Sequence, residues 1–191
     1  PYSILFGRIN NFEKKLFFEG YGEFDLDQKN SLKFPITLDR LLQSKQNISS
    51  QNIYMVLYGI IRSLLYLQSL NIQSVHIDLK PSNIIIDSNY YPRICELNEF
   101  ILQQNEEYES SKGISYDVNI FEYSMLMYQL VTGKDISEKF SNFMDSKNYN
   151  HPDIDIIHNK YIKNLLMKCW SSIPAERPSL TEIFESINDI N

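Results

Sequence analysis

The loop Val75-His76-Ile77-Asp78-Leu79-Lys80-Pro81-Ser82-Asn83 gathers three side chains that can act on a phosphate. Asp78 can orient a hydroxyl and accept its proton, Lys80 can neutralise a phosphate, and Asn83 offers a carbonyl oxygen to a hard cation. An Asp, a Lys and an Asn within six residues suit phosphoryl transfer, where positioning and charge neutralisation are most of the work. The same three residue types also occur in ordinary solvated loops, and on residue types alone both readings stand.

The elements around this loop must position it. Ser3–Phe6 and Lys15–Phe18 read as two short strands separated by the turn-like Asn10-Asn11, and Gly20-Tyr21-Gly22 ends the second. A polar loop is expected from Asp25 to Lys33, and Thr37 is placed to cap a short helix over Leu38–Gln43. The clearest helix covers residues 52–70, where Ile53, Val56, Leu57, Ile60, Ile61 and Leu64 recur at three- and four-residue steps. After the polar loop, Ile84–Ile86 reads as a short buried strand, Asp87-Ser88-Asn89 as a turn and Arg93–Leu97 as a second strand. Residues 99–113 are loop by composition. Helical spacing returns over Asp117–Val131, with Gly133 as its stop, and again over Tyr161–Trp170. Pro174 and Pro178 break the chain before a last helix that starts at Ser179 or Thr181 and runs through Ile187. The sum is an α+β, helix-dominated chain.

Composition limits what such a chain does. Its 191 residues suit one domain, and 43% apolar residues spread along the chain argue against a disordered chain. With 18 basic against 24 acidic side chains and a net charge of −6, no nucleic-acid partner is expected. No apolar run approaches the ~20 residues of a membrane span, and no leader segment is read at the start. Cys95 and Cys169 are too few for a disulfide framework, which suits a reducing, cytoplasmic setting. The chain opens on Pro1 and its first methionine is Met55, as expected for a part of a longer protein or for removal of an initiator ahead of proline.

The loop closely resembles the catalytic loop of protein kinases, H-R-D-x-x-x-x-N, with Asp78 and Asn83 at the required step. The segment Pro92-Arg93-Ile94-Cys95-Glu96-Leu97-Asn98 is similar to the family's D-F-G region. Asp117 to Ser124 with Leu130-Val131-Thr132-Gly133 resembles the helix whose leading Asp buttresses the catalytic loop. Cys169-Trp170 and Pro174-Ala175-Glu176-Arg177-Pro178 resemble the tyrosine-kinase-like and tyrosine kinase groups. Leu16 to Tyr21 resembles the strand and hinge beside adenine. The resemblance implies a protein-kinase-like large, C-terminal lobe over residues 25–191, with remnant small-lobe strands and hinge over residues 1–24. It implies Asp78 and Lys80 as catalytic residues and Glu19, Tyr21, Asn83 and Ile85 as nucleotide contacts. Asn83 and Glu96 would be the Mg²⁺ ligands. ATP and Mg²⁺ would be the cofactors, and a protein the substrate or partner.

Several positions depart from the family's pattern. No Gly-rich loop, strand lysine or helix glutamate of a small lobe precedes residue 16, and Lys14 and Lys15 stand in the wrong place to substitute. Glu96 stands where the family has Asp, which adds a methylene at a metal that demands near-ideal octahedral geometry, so weakened metal binding is expected. Asn98 replaces a glycine, and Ile77 replaces the Arg that grips an activation-loop phosphate. The segment between Glu96 and Asp117 is short and lacks an A-P-E triplet, which argues against ordinary peptide docking. The buried partner of Arg177 is then expected to be Glu106, with Glu107 second.

Three functions follow from these features: a Ser/Thr- or dual-type kinase completed by a small lobe, a pseudokinase acting as a binding scaffold, or another ATP-using transferase. The remaining conspicuous residues have plainer roles. Cys95, Cys169, Trp170 and Phe17-Phe18 read as core, His76 as packing, and His151 and His158 as residues without a metal. The acidic run at 106–109 reads as solvated loop apart from the partner of Arg177.

Overall fold

A computed structural model describes residues 7–10, 15–18, 22–25, 35–44, 46–69, 76–77, 79–95, 97–98, 117–136 and 151–189. Three strands, β1 (Gly7–Asn10), β2 (Lys15–Phe18) and β3 (Gly22–Asp25), form an antiparallel sheet in sequence order. Two strands were expected in this region. β2 falls where the pattern put it, whereas residues 3–6 lie outside the described residues and the described first strand begins at Gly7. Asn10 is not in a turn but pairs with Lys15 as the last rung of β1. Gly22 pairs with Phe18, so the glycine read as closing a strand opens a returning one, and Asp25 belongs to that strand instead of a loop.

β4 (Ile36–Thr37) leads into α1 (Leu38–Gln43), whose bounds match the expected helix. Thr37 stands at the N-cap with extended backbone, yet its side chain makes no cap hydrogen bond. It is buried as a strand residue opposite Ile85 instead. α2 spans Ser50–Ser69, starting two residues before the expected residue 52. The Asn52 amide donates to Ser49 Oγ at 3.2 Å, so Ser49 supplies a start signal that the apolar stripe alone does not mark. Val56, Ile60, Ile61, Leu64 and Leu67 turn inward, each contributing roughly 1.5–3 kcal/mol on burial.

β5 (His76–Ile77) precedes a 3-10 turn, Pro81–Asn83, and β6 (Ile84–Ile86). The strand expected over Arg93–Leu97 is two strands: β7 (Pro92–Ile94) pairs with β6, and β8 (Leu97–Asn98) pairs with β5. The chain changes partner at Cys95, whose amide donates to Asn83 O at 2.8 Å. β6 is the middle strand between β4 and β7. By strand alternation Ile84 and Ile86 share the face that joins the main core, with Ile85 on the other.

α3 (Asp117–Thr132) is buried without interruption from Asn119 through Leu130, as suits a helix apolar on nearly every side. The Tyr123 hydroxyl donates to Leu57 O at 3.0 Å and ties α3 to α2. Gly133 follows with φ 65°, the left-handed stop the sequence indicated. α4 (Lys160–Cys169) starts under an Asn159 cap and α5 (Leu180–Asn188) under Ser179. Cys169 and Trp170 are buried, and burial pushes the Cys169 thiol up to about 12 against the pull of the Arg177 and Lys168 charges. Trp170 stacks on the His151 ring at a centroid distance of 5.0 Å.

Candidate active site

The loop is anchored at both ends to one segment. At its start, His76 pairs with Asn98 and Ile77 with Leu97 across β5 and β8. At its end, the carbonyl of Asn83 accepts from Cys95 N. The residue after Ile77 is Asp78 and the residue between Cys95 and Leu97 is Glu96; both lie outside the described residues.

Between these anchors, Leu79 is fully buried and its amide donates to Glu122 Oε2 at 3.3 Å. Lys80 is half-buried with extended backbone, φ −120° and ψ 158°, at the entrance of the 3-10 turn. Proline at the first position of that turn suits its fixed φ. The Asn83 amide donates to Lys80 O at 2.9 Å and closes the turn. Asn83 is 2% exposed, with Ser82 Oγ at 3.5 Å from its Oδ1. The turn packs beneath α1 and β4. Ile85, two residues on, is buried in the centre of its sheet. The structure thus brings Lys80, Asn83 and Ile85 into one turn and strand, while Glu19 and Tyr21, like Asp78 and Glu96, lie outside the described residues.

The sequence reading missed Glu122 and Asn119. The side chain of Asp117 lies outside the described residues; the described contact from α3 to the loop backbone is made by Glu122, whose Oε2 also accepts from Asn119 Nδ2 at 3.1 Å. A signal was available: two polar residues three apart in a helix otherwise rich in Phe, Met, Leu and Tyr. Arg177 is buried, donates from Nε to Ser171 O at 3.1 Å, and holds its guanidinium carbon 5.4 Å from the centre of the Phe121 ring on α3. Its expected partners Glu106 and Glu107 lie outside the described residues.

No protein-family model matches the chain. Among curated proteins, it is 24% identical over 151 residues to the dual specificity protein kinase shkA of Dictyostelium discoideum, a match covering 66% of this chain. It is 24% identical over 170 residues, 75% of its length, to the dual specificity protein kinase shkB of the same organism. Over 81 residues, 42% of the chain, it is 37% identical to the serine/threonine-protein kinase NLK2 of Xenopus laevis. The matches span 29%, 26% and 17% of the lengths of these relatives, respectively. With a helix-rich fold and a doubly anchored loop of the kinase pattern, the chain is a protein-kinase-like domain. Its similarity to several curated protein kinases over about 70% of its length supports the protein kinase superfamily.

Proposed function

We propose that this domain transfers the γ-phosphoryl group of ATP to a Ser or Thr hydroxyl of a protein, with residues 25–191 as the large lobe and residues 1–24 as strands and hinge of a small lobe. Asp78 orients the hydroxyl and takes its proton, and Lys80 steadies the γ-phosphate. Ile85 underlies the adenine, with Glu19 and Tyr21 as its backbone partners at the hinge. The observation that carries this reading is the double anchoring of the loop, which ties Ile77 to Leu97 and Asn83 to Cys95. Those ties join the turn bearing Asn83 to the segment bearing Glu96.

An amide oxygen on Asn83 and a carboxylate on Glu96 are hard oxygen donors of the kind Mg²⁺ takes, so the donor set fits that ion. Bound there, it would neutralise phosphate charge. The longer side chain of Glu96 weakens that site relative to an aspartate. A net charge of −6 favours a protein partner over nucleic acid, and no helix among the described residues is long and apolar enough to cross a membrane. We place the protein in the cytoplasm.

The test is Asp78→Asn in the full native protein, assayed with Mg·ATP and a Ser/Thr substrate mixture. Transfer is expected to fall by about 10²–10⁴-fold; unchanged transfer would remove Asp78 from this role. A second reading, a pseudokinase scaffold, draws on Glu96 at the metal position and on the short stretch that follows it. It predicts no transfer from either form, with partner binding unaltered by the substitution.

A further inference from the structure

The backbone on either side of the reactive Asp78 needs a fixed support, and Leu79 is where the structure supplies one. We infer that Glu122, held by Asn119, is the positioning residue of the Asp78 loop. The Leu79 N–H belongs to the peptide that joins Leu79 to Asp78, and a peptide is a planar unit. A hydrogen bond at that N–H therefore holds the peptide that follows Asp78. Glu122 Oε2 makes this bond at 3.3 Å and accepts from Asn119 Nδ2 at 3.1 Å. Bonds to a carboxylate are stronger than those between neutral groups, and all the more so away from water. Glu122 is 7% exposed and Asn119 is 5% exposed.

The arrangement is specific in two further ways. The side chain of Leu79 is fully buried, so both its backbone and its side chain are anchored, and the chain is pinned between Asp78 and Lys80. The other end of the clasp is α3, buried along most of its length and tied to α2 through Tyr123 and Leu57. Asn119 and Glu122, three apart on that helix, lie side by side and restrict each other's rotamers. A buried carboxylate on an apolar helix is unfavourable unless its lone pairs are used, and here two donors use one oxygen. The resemblance gives this office to Asp117; among the described residues, Glu122, five residues on, makes a contact of this kind.

The consequence for rate rests on the phosphoryl-transfer reading, but the clasp itself does not. Residue-resolved amide exchange of the full native protein reads it directly, with α2 amides as the internal reference. In Glu122→Ala, Leu79 is expected to exchange at least about tenfold faster while α2 is unchanged. Glu122→Gln keeps an acceptor oxygen and should retain most of the protection, and Asn119→Ala should fall between. If Glu122→Ala does not fold, Asn119→Ala carries the same comparison. An unchanged Leu79, or one that changes only together with α2, overturns the inference. In the transfer assay Glu122→Ala should lower kcat at least tenfold with KM for ATP unchanged, and Glu122→Gln should recover much of it. A raised KM at constant kcat overturns the positioning role. A wild-type protein without transfer overturns the phosphoryl-transfer reading, and the exchange result then decides the clasp alone.

Discussion

The amide of Cys95 donates to the carbonyl of Asn83 at 2.8 Å, and this one bond joins the turn after Lys80 to the residue before Glu96. It uses backbone atoms on both sides, so it survives a change of either side chain. Asn83→Ala should therefore leave the fold in place while removing the amide oxygen proposed for Mg²⁺. The Mg²⁺ concentration for half-maximal transfer is expected to rise by about 10–100-fold, by analogy with losses at metal sites. A titration matching the wild type would show that Asn83 does not ligate the ion.

Where α2 meets β7, the packing leaves no room for a methyl group. A Cβ built on Gly59 would stand 2.5 Å from both Cγ and Cδ of Pro92. The proline ring is rigid, so relief requires the helix or the strand to shift. Gly59→Ala gains helix propensity, but overpacking of this kind costs about 1–3 kcal/mol and should dominate. Thermal unfolding should show Tm lowered by roughly 2–4 °C for each kcal/mol lost. A variant as stable as the wild type would mean that β7 moves freely against α2.

Much of this was legible in the chain, and the exceptions have physical causes. α1, β2 and β6 fall where the pattern put them, each a short run rich in apolar residues set between polar or glycine residues. β3 was hidden behind Gly22, since glycine marks a change of direction without saying on which side the strand lies. The split between β7 and β8 was invisible because Arg93 to Leu97 reads as one extended run. Only the long-range bond from Cys95 to Asn83 divides it. Lys80 and Asn83 were read onto one polar loop, and the structure adds the 3-10 turn that follows Lys80 and ends at Asn83. Glu122 was passed over although it stands three residues after Asn119 in an apolar helix, because a carboxylate in a helix is ordinarily read as solvent-facing; here it is buried and bonded to the Leu79 amide.

The start of α5 provides a pH-dependent contribution to stability. Glu182 Oε2 accepts from the Ser179 amide at 2.7 Å and from Ser179 Oγ at 2.8 Å, while Ser179 Oγ accepts from the Glu182 amide at 3.2 Å. The backbone bond first, and then the hydroxyl, hold the Glu182 carboxyl below its ordinary value of 4.5. A carboxyl depressed in the folded state stabilises fully above its unfolded value, and this contribution disappears as pH falls through the folded one. Tm followed from about pH 6 downward should thus fall more steeply in the wild type than in Glu182→Gln, with the divergence opening near pH 4.5. Parallel curves would show that the box adds nothing that titrates.

Arg177 offers a test that reaches the part of the chain outside the described residues. Its guanidinium lies over the Phe121 ring and donates to Ser171 O, so it joins α3 to the stretch after α4 from a site 8% exposed to solvent. A cation in such a place favours a carboxylate partner, and the segment after Glu96 supplies Glu106 as first choice and Glu107 as second. Arg177→Met keeps the length and removes the charge; Glu106→Gln keeps the shape of its partner. If the two pair, each single substitution destabilises, and the double variant loses less than the sum, with a coupling of about 0.5–3 kcal/mol in a denaturant-unfolding cycle. Strict additivity at Glu106 together with coupling at Glu107 would transfer the role by one residue. Additivity at both would exclude Glu106 and Glu107 alike as partners of Arg177.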